Sequence, residues 1–319
     1  VSSIFSRIRS AAAQVAQDAR FVRLQEDRVA PYAASLSLQG LPAPVYDTEH
    51  HFRGNDADTA AFLLALDSVN FGSGYFPHLQ KRDGMSGYFT VATSLTDHWQ
   101  LRGSLTPAAL RAITPADCAV IFGQSLADPV VAELMELFAQ ALRDLGVWLQ
   151  GYDDDPLAPF VAAGGSAARL IEQVSAMPFY QDVARHRGQQ VPLYKRAQLL
   201  VADMALAFGQ GGPGAFHDLD ELTIFADNLV PHVLRVDGLL EYQPELLARI
   251  NAGQLIPPGS PEETEIRAVG LHAVERVAEA IRAQGTPVTA RELDFLLWHR
   301  GQSPPYKAQP RHRARSVFY

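Results

Sequence analysis

Residues 222–234, Leu-Thr-Ile-Phe-Ala-Asp-Asn-Leu-Val-Pro-His-Val-Leu, set one carboxylate, Asp227, inside an otherwise apolar run. A carboxylate taken out of water is retained where it is hydrogen-bonded, paired or chemically used. Burial also raises its pKa, which prepares a carboxylate for acid–base work or for stabilising a developing cation. The competing reading is a helix cap: Asn228 follows, and Pro231 would break a helix. The local pattern by itself favours the cap.

Other polar residues stand in similarly apolar settings. In Leu66-Asp-Ser-Val-Asn-Phe-Gly-Ser-Gly-Tyr-Phe-Pro77 an apolar helix runs into a glycine-rich turn, where Asn70 either caps backbone or reaches a ligand. Tyr75, Phe76 and Tyr88 could stack on a flat ring or serve as core. His50-His51 precedes that helix; with no second histidine–carboxylate pair at ligand spacing, His51 reads as a hydrogen-bonding group and no metal centre is expected. Lys195 heads an apolar stripe with Gln198, Leu199 and Ala202, a place for binding phosphate or pairing with a carboxylate. Asp294 lies one helical turn before Trp298, where it could accept two hydrogen bonds from a guanine-type edge. Lys307, Arg311, His312, Arg313 and Arg315 crowd a tail that ends Ser316-Val-Phe-Tyr319, apolar enough to dock back rather than fray.

Helical periodicity supplies the elements that must hold these groups. Asn55 or Asp56 caps a run from Thr59 to Leu66, and Pro129 opens Val130 to Leu149 with Leu134, Leu137, Phe138, Ala141, Leu142 and Leu145 on one stripe. Further helices are expected over 166–176, 193–208, 244–251, 262–283 and 289–299, the last opened by a capping box of Thr289 and Glu292. Strand-like alternation is confined to Val91 and to Val236–Tyr242. The run Gly209-Gln-Gly-Gly-Pro-Gly214 lacks the strand before it and the Lys-Ser/Thr pair of a phosphate loop, and reads as a surface loop. The chain is therefore expected to be all-α or nearly so, a single compact helical unit over 1–319, with 1–50 a helical extension and 301–319 a tail packed on the body.

Composition narrows the function classes. The 319 residues are 47% hydrophobic and 19% charged, as in ordinary soluble globular proteins. The net charge of −8 argues against coating nucleic acid, which calls for net positive charge. The single cysteine, Cys118, excludes an intrachain disulfide and fits a reducing cytoplasm; it reads as a small buried apolar residue. No run of about eighteen apolar residues is present, so no membrane span is expected. The arginine-studded start reads as an amphipathic helix and not a secretory signal.

Five segments, taken together, resemble the queuosine salvage family of queuosine 5′-phosphate N-glycosylase/hydrolases. They are Leu66–Phe71, Tyr194–Asp203, Leu222–Leu234, Gly238–Tyr242 with Glu262–Ala268 beyond it, and Asp294–Trp298. The resemblance runs from about His51 to the C-terminus. It implies a helical fold similar to the helix-hairpin-helix DNA glycosylases and hydrolysis of queuosine 5′-monophosphate to release queuine for reuse in tRNA. It also implies that Asp227 is the catalytic aspartate, Phe225 a base contact, and Lys195 an active-site lysine, with His51, Asp294 and Phe295 holding the base. Phe295 stands where the family commonly has Tyr, and His299 where relatives can carry Asp. Tyr88, Asn70 and His299 are further candidate substrate contacts, and Arg313, with Lys195, a candidate for the 5′-phosphate. No cofactor is implied, the partner is the small nucleotide itself and not a nucleic acid, and a cytoplasmic monomer is expected. Two alternatives stay open: a DNA-lesion glycosylase of similar architecture, and a non-catalytic queuine-binding protein.

Overall fold

The computed structural model describes residues 2–36, 44–209 and 211–319. Helices dominate them, and the described strands form two small two-stranded antiparallel sheets, as the nearly all-α expectation required. The contact pattern divides the chain into two compact units, one of residues 1–44, 182–195 and 220–315, the other of 45–181, 196–219 and 316–319.

The first unit is organised on the helix Pro261–Ala283, buried along most of its length from Glu263 to Ile281. Ser260 caps it by accepting the Glu263 N–H. The helices Ile4–Asp18, Glu26–Ser35, Val230–Val236 and Ala290–Gly301 pack on it. Ile4, Phe5, Ile8, Ala12 and Val15 form the buried face of the first, the amphipathic helix expected at the N-terminus. Each large apolar side chain buried there contributes about 1.5–3 kcal/mol. Gly270 lets the helix Val230–Val236 come close, since a Cβ there would lie 2.8 Å from Pro231 Cγ. Val22–Leu24 pairs with Leu240–Tyr242. Val183–His186 pairs with Gln189–Pro192 through Arg187 and Gly188, both at positive φ, the backbone of a tight hairpin. Buried Glu265 accepts the backbone N–H groups of Arg20, Phe21 and Val22 and bonds His186 Nε2 at 3.1 Å, so its charge is satisfied.

Part of the C-terminal tail bonds within this unit. Ile256 N–H donates to Arg313 O, and Leu255 bridges Arg313.

The second unit is built around Pro129–Leu149, opened by Asp128 as cap, with Leu134, Phe138, Ala141, Leu142 and Leu145 buried. Leu137 is only half-buried, and Met135 and Ala139 are buried in its stead. The helices Asp56–Val69, Pro107–Ala112 and Pro115–Phe122 pack on it. Cys118 is buried, and burial pushes its thiol up to about 12. Here Gly72 N–H donates to the carbonyl of Tyr319, the last residue.

Three local expectations need correction. Val91 is not in a strand but in the helix Gly87–Arg102, because Val91, Leu95 and Trp99 recur every four residues and bury one face. Only Leu240–Tyr242 of the second strand segment is extended; Val236 ends a helix, and Gly238 turns at φ 79°. The helix expected from Leu193 starts at Lys195. Gly212–Gly214 is a short 3-10 turn with Gly214 buried, and Gln210 of that loop lies outside the described residues.

Candidate functional site

Asp227 lies in an irregular segment just before the helix Val230–Val236 and is half-buried. Pro231 does not break that helix; it sits in the first turn, where its missing N–H is no loss. Both readings of Asp227 have substance. Its Oδ1 accepts the Leu229 N–H at 2.7 Å, a cap-type link, and among the described residues Oδ2 carries no hydrogen bond. One oxygen thus orients the carboxylate and the other is left for chemistry.

Three further contacts pin this segment in the first unit. Phe225 N–H donates to Asp294 Oδ1 at 2.9 Å, and Arg267 Nε donates to Ala226 O at 2.8 Å. Asn228 Nδ2 donates to His312 O at 3.1 Å, and Asn228 itself is buried. His312 is also buried, which holds its imidazole down at about 3 and therefore neutral.

Asp294 projects from the helix Ala290–Gly301, whose capping box of Thr289 and Glu292 is present as the sequence indicated. It is 5% exposed. Burial, reinforced by the charge of Asp227, pushes its carboxyl from 3.8 up to about 7; the Phe225 N–H and the Lys195 charge oppose the rise. A buried carboxyl raised toward neutral pH beside a second carboxylate is placed to hold and give a proton. Lys195, 7% exposed, opens the helix Lys195–Phe208, and its backbone N–H donates to Asp182 Oδ2 at 3.0 Å. Phe225 and Phe295 are half-buried. His299 is exposed, with its ring centroid 4.0 Å from that of Phe295 and its Nδ1 2.8 Å from Phe295 O.

Among the tail cations, Arg311 feels the charge of Asp227. Arg313 Nη2 instead donates to Gly253 O at 2.8 Å. Arg313 is the residue of this cluster that the sequence offered as a phosphate contact.

The second unit holds the remaining candidates. His51, 8% exposed, stands with Nε2 2.7 Å from Tyr88 OH, and the two rings meet edge-on. Burial lowers its pKa to about 4, so it is a neutral hydrogen-bonding group. Tyr88 is raised well above its ordinary range by burial and then by the charges of Asp203, Asp67 and Asp47. Asn70 is the C-cap of the helix Asp56–Val69 and reaches back to Asp67 Oδ1 at 3.4 Å. Among the described residues no group of three His, Cys, Asp or Glu is placed to hold a metal ion, and no helix is long and apolar enough to cross a membrane.

A family model described as queuosine salvage protein matches residues 50–319. The chain is similar to the queuosine 5′-phosphate N-glycosylase/hydrolase of Sphaerobacter thermophilus, at 37% identity over 96% of this chain and 95% of the relative. It is similar to the protein of that name from Dictyostelium discoideum at 32% identity, over 82% of this chain and 78% of the relative. With the one from Mus musculus it shares 28% identity over 98% of both chains.

Proposed function

Because the chain belongs to the queuosine salvage protein family, we propose that it is a hydrolase of queuosine 5′-monophosphate, cleaving the N-glycosidic bond to release queuine for salvage into tRNA. The observation that carries the reading is the carboxylate pair: Asp227 oriented by one backbone N–H with its other oxygen open, and Asp294 buried and raised to about 7.

The chemistry follows from that pair. Departure of the base builds positive charge on the sugar, as in other glycoside cleavages. Ionised Asp227 stabilises that cation. A water oxygen bonds to the anomeric carbon and gives one of its protons to the carboxylate pair, the C–N electron pair leaves with the base, and the base departs carrying one proton, so that one water is consumed. Queuine is a 7-deazaguanine without a purine N7 to protonate, so the leaving base needs a donor at another edge. Asp294 in its protonated form is assigned that role, beside the acceptor role that its setting one helical turn before Trp298 suggested. Phe225 and Phe295, with His299 over the latter, are assigned to the base plane, and His51, Tyr88 and Asn70 stay proposed substrate contacts. Lys195 and the tail cluster of Arg311 and Arg313 are assigned to the 5′-phosphate. A single glycosylase domain over 1–319, its likeness to helix-hairpin-helix DNA glycosylases, a monomeric state and a cytoplasmic location belong to the same proposal.

Incubation with queuosine 5′-monophosphate tests it by chromatography of free queuine. The wild type is expected to release queuine, and Asp227→Asn, which keeps shape and loses charge, to fall by about 10³-fold or more in kcat. Retained turnover in that variant would refute the role of Asp227. Binding of queuine with no release by the wild type would leave a binding protein instead.

A further inference from the structure

The N-glycosidase reading gives Asp227 and Lys195 their tasks but leaves open how two backbone segments so distant in sequence are set against each other. The helix Pro261–Ala283 carries a charged residue, Arg267, at a position where its neighbours Ile266, Ala268 and Val269 are all buried and apolar. Arg267 is 1% exposed and Asp182 is 3% exposed. The guanidinium grips both carboxylate oxygens of Asp182, Nη1 to Oδ1 at 2.9 Å and Nη2 to Oδ2 at 2.6 Å. Its remaining nitrogen, Nε, donates to the carbonyl of Ala226, the residue before Asp227. Glu263 stands 3.5 Å from the same guanidinium.

Asp182 works in the other direction. Its Oδ2 also accepts the N–H of Lys195, and its backbone carbonyl accepts those of Leu193 and Tyr194. Tyr194 has φ 48°, a left-handed backbone that costs a non-glycine residue on the order of 1–3 kcal/mol and persists only where its surroundings impose it. Asp182 supplies that imposition with three acceptor contacts to consecutive residues. A buried pair of this kind is weak evidence for stability, because desolvation offsets much of its attraction. Its value lies in fixing geometry.

We infer that Arg267 and Asp182 are positioning residues for the reaction, a buried strut that sets the Asp227 backbone against Lys195. This rests on the N-glycosidase reading. A shift of about 1 Å in a reacting group can cost on the order of 100-fold in rate, so the strut acts through kcat rather than through binding alone.

The test compares Arg267→Lys and Asp182→Asn with the wild type, assaying queuine release from queuosine 5′-monophosphate at a temperature where melting curves show each protein folded. Arg267→Lys keeps the charge and loses the fork. Asp182→Asn keeps an acceptor for Lys195, while Glu263 remains beside the arginine, so both variants are built to fold. Tyr32→Phe is the control: it removes a hydrogen bond to Asp237 and costs stability away from this strut. We expect kcat per folded molecule to fall about 10–100-fold in both strut variants, with KM changing less, and to stay within about twofold in the control. Strut variants that melt lower yet match the control in kcat would overturn the inference and leave a purely structural pair. A wild type that releases no queuine would overturn the parent reading, and the inference with it.

Discussion

Replacing Asp294 by Asn is expected to make the protein more stable, and by an amount that grows with pH. The Asp294 carboxyl rises from 3.8 to about 7 on folding, chiefly through burial and then through the charge of Asp227. A folded-state pKa above the unfolded value means the folded chain prefers the protonated acid. That contribution is fully present below pH 4 and is lost as pH rises through 7. At 1.36 kcal/mol per unit, the ionised carboxylate weighs against folding by on the order of 4 kcal/mol at pH 8 and about 1.5 kcal/mol at pH 5. Asparagine keeps an oxygen for the Phe225 N–H and carries no charge to desolvate. At about 2 °C per kcal/mol for a chain of this size, the variant should melt roughly 8 °C above the wild type at pH 8 and roughly 3 °C above it at pH 5. Thermal melts followed by circular dichroism in matched buffers from pH 4.5 to 8.5 read this directly. A shift of equal size at both ends, or a loss of stability at pH 8, would refute the account of Asp294. Queuine release by the same variant should fall sharply, since a carboxamide has no acid proton to give; stability would then be gained where function is lost.

Other outcomes follow from the same geometry. The His51 ring, held down at about 4 by burial, should keep constant NMR shifts from pH 8 to pH 5, and a titration midpoint near 6.5 would show that it is not enclosed as described. Because its folded pKa is depressed, its stabilising contribution is present above pH 6.5 and lost as pH falls toward 4, so His51→Gln should flatten the acid limb of the stability curve. Gly270→Ala should destabilise by about 1–3 kcal/mol in urea unfolding, because the new methyl would meet Pro231 Cγ at 2.8 Å; an unchanged midpoint would mean the two helices can part freely.

The parts of this molecule that were legible in its sequence are those fixed over a few residues. Asn55 and Thr289 cap the helices that their side chains suggested, and Pro129 stands in the first turn of the helix it was expected to open, because such signals and the N–H groups they concern are neighbours in the chain. The start of the helix at Lys195 was not legible, since Tyr194 is forced to positive φ by Asp182, thirteen residues upstream of Lys195. Val91 was misread because a short β-branched stretch hides a four-residue repeat that only its burial discloses. Asp227 and Asp294 were both picked from their apolar surroundings, but their link through Phe225 spans 69 positions. The Arg267–Asp182 pair spans 85, and its one signal was Glu263 and Arg267 four apart in an apolar helix.

The coupling of the two carboxylates also decides how substitution at Asp227 should be interpreted. Asp227 raises the proton affinity of Asp294, so Asp227→Asn removes the anion beneath the sugar and lowers the protonated fraction of its neighbour at the same pH. The rate lost in that variant therefore contains both effects, and it overstates what Asp227 alone contributes. The pH profile separates them: residual turnover of Asp227→Asn should have its alkaline limb displaced toward lower pH, following Asp294. If the limb stays where the wild type has it, Asp294 is not the group that titrates, and the proton for the leaving base comes from another source.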